Sequence, residues 1–212
     1  MREKIIRLYQ YDELSDKAKA WAVEAARVNA VDDDWWYEVV FDDVVEVAGL
    51  MGIEIEQRAV KFKDKVVGHK PSIFFSGFSS QGDGACFEGH YSYRKGSVKA
   101  VMGYAPKDEA LHRIVKELYA LQKKNGYGLT ATVKHQGNYS HEYCTIIDVY
   151  RTDSGDYADL DTGNAIAEIL RDLMKWIYRQ LRTEYEYQTS DEAVIEDIKG
   201  NEYEFTSEGV RV

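Results

Sequence analysis

The residues best equipped for chemistry lie in Pro71 to Gly89, PSIFFSGFSSQGDGACFEG, and just beyond it. In ACFEGHYSYR, Cys86, Glu88 and His90 fall at every second position. A strand there lines up a thiol, a carboxylate and an imidazole on one face, followed by Ser92 and Arg94. A thiolate beside an imidazole is a nucleophile with its base. At about 3.3 Å per residue, however, Cys86 and His90 start about 13 Å apart, beyond the hydrogen-bond reach of a dyad. Glu88 lies about 6–7 Å from each along the backbone and can approach either. A polar, solvent-facing strand side accounts for the row more simply than catalysis does.

The preceding loop, Ser79-Ser80-Gln81-Gly82-Asp83-Gly84, admits three chemistries. A phosphate cradle needs a following helix and a lysine, and neither is present. A calcium loop needs a cage of oxygens, and Asp83 is the one carboxylate. A tight turn fits: Gly82 and Gly84 are expected to supply positive backbone angles, with Asp83 capping its own turn. Such a loop, held by rigid strands, presents Gln81 and Asp83 to a partner.

A second constellation, His135, His141 and Glu142, sits in KHQGNYSHEYC. A metal site needs at least three convergent ligands and HExxH does not occur, so neither a metal nor another cofactor is expected. If catalysis takes place, the candidates are Glu88, His90, His135 and His141, with Asp83 and Glu142, brought together by adjacent strands. Sixteen tyrosines are the other resource. Tyr91, Tyr93, Tyr104, Tyr139, Tyr143 and Tyr150 fall among the middle strands, and tyrosine joins apolar area to a polar tip in the way interfaces favour. Gln81, Asp83, Tyr91, Tyr93 and Tyr139 are the expected partner-binding residues.

These residues must be positioned by the surrounding elements. A short strand is expected at Lys4–Tyr9. Ser15 then caps a helix whose stripe is Ala18, Trp21, Ala22, Ala25 and Val28. Asp32, Asp33 and Asp34 favour a helix start. A helix with Trp35 and Trp36 as core anchors follows, ending at Gly52, although its valines also suit a strand. Ile53 to Tyr93 alternates as strands do. Pro106 opens a helix that closes at Lys123-Lys124-Asn125-Gly126. GLTATVKH and EYCTIIDVY read as strands around a turn at Gly137-Asn138-Tyr139. Thr162 caps another helix. In the tail, TEYEYQT reads as a strand, Asp191–Lys199 as a short helix and EYEFT as a last strand. The economical architecture is one α+β domain over residues 1–212, a mostly antiparallel sheet with about four helices packed on it. Residues 184–212 could stand as a small acidic appendage.

Bulk properties narrow the function classes. A chain of 212 residues can bury a sizeable core. No apolar run reaches the length of a membrane span, and the first residues lack an apolar signal core, which predicts a cytoplasmic protein with no membrane partner. Two cysteines, Cys86 and Cys144, are too few for a disulfide framework. The net charge of −10 argues against general nucleic-acid binding. Its distribution is uneven: residues 1–60 carry −7, 61–150 carry +5 and 151–212 carry −8. Acidic ends suit a basic partner, for example a nucleic-acid-binding protein. In the basic middle, Lys61, Lys63, Lys65, Lys70, Arg94, Lys95 and Lys99 form the set that a nucleic acid would use.

SGFSSQGDGACFEG, with YSYRKGSVKAV, YAPKDEALHRI and HQGNYSHEYC after it, resembles a family of bacteriophage and prophage proteins, some labelled "antitoxin of toxin–antitoxin stability system". The resemblance runs from ELSDKAKAWA to SDEAVIEDIKGNEYEF and is strongest in SGFxSQGDGAxFxG. It carries no established catalytic residues. It implies a mobile-element setting in the cytoplasm of a bacterial host. The leading expectation is therefore a non-enzymatic, antitoxin-like or anti-defence accessory protein that binds and inhibits or neutralises a host protein, a toxin or a defence complex. The alternative is a small hydrolase or nucleotide-processing enzyme using the middle strands.

Overall fold

The computed structural model describes residues 7–32 and 35–212. In chain order the described elements begin with β1 (Tyr9–Gln10), α1 (Asp16–Asn29), α2 (Trp35–Met51), β2 (Ile53–Ile55), β3 (Gln57–Phe62) and β4 (Lys65–Pro71). Next come β5 (Ile73–Phe75), β6 (Ala85–Phe87), β7 (Gly89–Ser92), α3 (Ser97–Tyr104) and α4 (Glu109–Lys124). The chain continues through β8 (Leu129–His135), β9 (Thr145–Arg151), α5 (Leu160–Gln188), α6 (Asp191–Gly200) and β10 (Glu204–Phe205). The fold is α+β, with six α-helices among the described residues against the four or so expected. Among the described residues every strand pair is antiparallel, and the strands divide among four small sheets.

The chain divides into two compact units, Met1–Val39 with Arg182–Val212, and Val40–Leu181. In the first, Ser15 caps α1 as expected, accepting from the Ala18 N–H. Ala18, Ala22 and Val23 turn inward to meet Val194, Ile198 and Phe205, while Trp21 and Val28 of the expected stripe are exposed. Small side chains let α1 lie close to α6, and the tryptophan is too large for that seam. Trp36 is buried against Tyr185, but Trp35 is 55 % exposed and anchors no core. The strand expected at Lys4–Tyr9 falls partly outside the described residues, as do Asp33 and Asp34 of the acidic cluster.

The second unit is built on the sheet β2-β7-β8-β9. Its register aligns Ile53, Tyr91, Ala131 and Val149 across one face, all buried. The next row, Glu54, His90, Thr132 and Asp148, lies on the other face. Helix α4 is capped by Asp108, which accepts from the Leu111 N–H at 2.9 Å. The same carboxylate accepts from the Trp176 indole of α5 at 2.7 Å. The helix therefore starts three residues beyond Pro106, at the residue whose side chain can satisfy its amides.

Two expectations change, and one helix had no counterpart among them. Helix α3 carries no side-chain cap, starts from Gly96 and contains two valines in eight residues, so no start signal marks it. Helix α5 is capped by Asp159, which accepts from the Thr162 N–H at 3.0 Å, so Thr162 is the recipient and not the cap. TEYEYQT alternates like a strand but is the end of α5. Adding turns to a formed helix is cheap, and the pairs Arg182–Glu186 and Gln188–Glu184, at 2.8 and 2.7 Å, bridge successive turns there.

Candidate functional site

Strands β5 and β6 pair as Ile73↔Phe87, Phe74↔Cys86 and Phe75↔Ala85, and the segment 76–84 loops between them. Aromatic rings of this segment form a ladder inside the second unit. Phe41 of α2 meets Phe75 at 6.2 Å, Phe75 meets Phe78 at 6.1 Å, and Phe78 stacks on Tyr178 of α5 at 5.5 Å. The Tyr178 hydroxyl donates to the Gly77 carbonyl at 3.0 Å. The loop is thus tied to a helix at its entry.

Its polar groups are turned inward. One oxygen of Asp83 accepts from the Ser79 and Ser80 amides at 2.9 and 2.6 Å, and the Asp83 amide donates to the Ser80 carbonyl. Asp83 therefore caps its own turn, and Gly82, at φ +91°, takes the left-handed position. Gly84 has no positive φ, contrary to expectation. It is needed for a different reason: a Cβ there would come within 3.0 Å of the His141 Cα and 3.2 Å of the Ser140 carbonyl. The loop and the β8–β9 turn, residues 136–144, are in direct contact. Replacing Asp83 with alanine removes the acceptor for two amides and should lower stability by about 1–2 kcal/mol. Amide exchange at Ser79 and Ser80 should accelerate, and Asp83→Asn should retain part of the protection. Unchanged exchange in the alanine variant would exclude this capping role.

The turn of residues 136–144 is equally tied. His135 stacks on Phe74 at 4.7 Å, and its Nε2 lies 2.9 Å from the Tyr139 carbonyl. The His135 amide donates to Glu88 Oε1 at 3.2 Å. His141 Nδ1 lies 3.3 Å both from the Tyr143 amide and from Glu142 Oε2. A bare Nδ1 accepts the first and a protonated one donates to the second, so the ring's proton selects the partner. Tyr143 is exposed, with Arg171 and Lys175 of α5 at 5.2 and 5.7 Å from its ring.

The structure thus brings Glu88, His135, His141, Asp83 and Tyr139 to one pair of apposed loops, with Gln81 exposed at the loop tip. It does not bring His90 there. His90 sits on the polar face of the four-stranded sheet, 3.4 Å from Glu56 Oε1, which also accepts from Lys134 at 2.7 Å. The Lys134 ammonium holds the Glu56 carboxyl below its ordinary range. Tyr91 is corrected outright: it is 2 % exposed, so it is no surface residue. Its hydroxyl accepts from Gln122 at 3.2 Å, and burial pushes its pKa up to about 12. Tyr93 packs on Tyr127 at 4.5 Å, in an aromatic group with Tyr119.

Cys86 is fully buried, and burial pushes its thiol up to about 12, with Cys144 adding to the rise. At neutral pH it is a protonated packing group and a poor nucleophile. Among the described residues no three His, Cys, Asp or Glu side chains converge to hold a metal ion. Glu56, Lys134, Arg171 and Lys175 were not singled out from sequence. Strand alternation places Lys134 on the His90 face, whereas the reach of α5 over Tyr143 has no local signal.

The other unit holds a groove of about 340 Å³ lined largely by apolar side chains, including Ala22, Ala26, Trp35 and Val194. Its cation, Arg211, lies over the Tyr203 ring at 3.3 Å. No helix among the described residues is long and apolar enough to cross a membrane.

Comparison with protein families matches residues 36–191 to a model described as a domain of unknown function, DUF8835. No curated protein and no solved structure matches the chain.

Proposed function

We propose that this chain, which belongs to the DUF8835 family, is a non-enzymatic accessory protein, encoded by a bacteriophage or prophage, that binds and inhibits or neutralises a host protein. The binding surface is the pair of apposed loops, 76–84 and 136–144. One observation carries the reading. The groups with chemical capacity in and beside these loops are engaged internally: Asp83 on two amides, Glu88 on the His135 amide, and His135 on the Tyr139 carbonyl. What projects is Gln81 and the ring of Tyr139, 66 % exposed, and Tyr143 of the same turn is exposed as well. A rigid loop that presents a large aromatic and an amide needs little ordering on binding, and tyrosine is a frequent anchor at interfaces.

The phage setting rests on the resemblance of SGFxSQGDGAxFxG, and the cytoplasm of a bacterial host follows from it. The partner is a toxin or a component of a defence complex, and the acidic ends of the chain favour a basic one. The test is gentle co-purification from host cells with the wild type and with Gln81→Ala/Tyr139→Ala. The double variant is expected to fold normally and bind the captured partner about 30-fold more weakly, a loss of about 2 kcal/mol. Capture that is indifferent to both substitutions would remove these loops as the interface.

A further inference from the structure

Residues 57–71 form an arm of a different character. Strands β3 and β4 pair with each other and, among the described residues, with no third strand. All residues from Lys61 to Val67 are exposed, including Phe62 at 64 %. The base is fastened: the Ser72 amide donates to the Glu56 carbonyl at 2.7 Å, and Arg58 donates to the Ile73 carbonyl while stacking on Phe74. The segment carries five basic residues, Arg58, Lys61, Lys63, Lys65 and Lys70, against one acid, Asp64, in a chain of net charge −10.

The register decides where these charges lie. Arg58 pairs with Lys70, Val60 with Gly68, and, beyond a bulge, Lys61 with Val66 and Phe62 with Lys65. Alternation then puts Arg58, Phe62, Lys65 and Lys70 on one face, and Lys61, Val66 and His69 on the other. Lys63 and Asp64 form a two-residue turn with φ of 46° and 64°, the mirror-image type that matches ribbon twist. Asparagine and glycine suit such a turn best, yet a lysine occupies it and places a further cation at the tip. Lys61 and Lys65 have no carboxylate partner among the described residues.

We infer that the β3–β4 ribbon is an arm that enters the major groove of B-form DNA. Cations on both faces and at the tip suit a groove walled by phosphates on either side. A flat acidic protein or an anionic bilayer calls for charge on one face. The dimensions agree: paired strands lie about 4.8 Å apart, and a two-stranded ribbon fits a groove about 12 Å wide. Phe62, beside the tip, supplies apolar contact to base edges, where thymine methyls lie. Binding is chiefly electrostatic and tolerant of sequence. The ribbon's own charge acts at short range, because salt screens charge interactions over roughly 8–10 Å.

Fluorescence anisotropy with a labelled DNA duplex tests this. With four phosphate contacts, affinity should fall about 150-fold between about 50 and 200 mM salt, a log–log slope near −3.6. Lys61→Gln/Lys65→Gln should reduce that slope by about 1.8, and Phe62→Ala should weaken binding without changing it. Lys63→Asn/Asp64→Gly, which favours the turn, keeps the ribbon folded and should lose about one contact. Circular dichroism establishes that each variant is folded. No duplex binding at the lower salt, or a slope unchanged by loss of Lys61 and Lys65, would overturn the assignment. So would equal or tighter binding to A-form RNA duplex, to phosphatidylserine vesicles or to polyglutamate.

Discussion

Gly89→Ala is expected to cost on the order of 4 kcal/mol, a large effect for a single methyl group. Gly89 closes the SGFxSQGDGAxFxG motif and faces Ile55 on β2 and Val133 on β8. A Cβ built there would stand 2.2 Å from the Glu54 carbonyl oxygen and 3.1 Å from the Ile55 Cα. Both are backbone atoms of a paired strand, so no side-chain rotation relieves the clash. The β2–β7 pairing must shift, and with it the row that holds His90 and Tyr91. At about 2–4 °C per kcal/mol for a chain of this size, the melting temperature should fall by roughly 8–16 °C. Gly77→Ala is the control. Its Cβ would meet only the Asp83 carboxylate, at 3.4 Å, an ordinary contact. Equal melting of the two variants would refute the steric account of the motif's final glycine.

Gln122→Ala should cost about 3 kcal/mol. This side chain of α4 is fully buried and joins the helix to the sheet. Its Nε2 donates to the Leu129 carbonyl at 2.7 Å and to the Tyr91 hydroxyl at 3.2 Å, and its Oε1 accepts from the Leu129 amide at 3.2 Å. Truncation removes a partner from three buried polar groups and also opens a void. Each orphaned group costs about 1–3 kcal/mol, and rearrangement recovers part of the sum. Urea denaturation should show a lower midpoint at an unchanged slope. Gln122→Met fills the space without the hydrogen bonds and should lie between the two. A loss below about 1 kcal/mol in the alanine variant would mean that these groups find other partners.

Tyr91 shows what local pattern can and cannot convey. Alternation along ACFEGHYSYR correctly separated its face from that of His90. Which face is inward depended on β2 and β8 flanking the strand and on Gln122 lying above it, and no residue of the segment encodes that. The same limit applied to Trp21 and Trp35. Their size suggested burial, but the seam beneath α1 is made largely by small side chains and admits no indole at Trp21, and Trp35 of α2 is left 55 % exposed. TEYEYQT alternated convincingly, yet it continued a helix already nucleated upstream.

Charge behaved in the same way. The total of −10 disfavoured nucleic acid, whereas the pairing of β3 with β4 gathers Lys61, Lys63 and Lys65 at one exposed tip, with Arg58 and Lys70 half-buried nearer its base. A sum over the chain has no geometry, and electrostatic recognition at short range depends on geometry.

Read alone, the sequence established the α+β class, the capped start of α1, the short helix at Asp191–Lys199, the closing turn of α4, the strand-rich middle and the turn capped by Asp83. Each depends on neighbours within a few residues, where propensity, capping and period act. Tertiary structure alone decided which alternating face is buried, that Gly84 and Gly89 answer to backbones distant in sequence, and that His90 and His135 serve different surfaces. Those outcomes rest on contacts closed across many residues, and a single strand or loop carries no information about the surface it will meet.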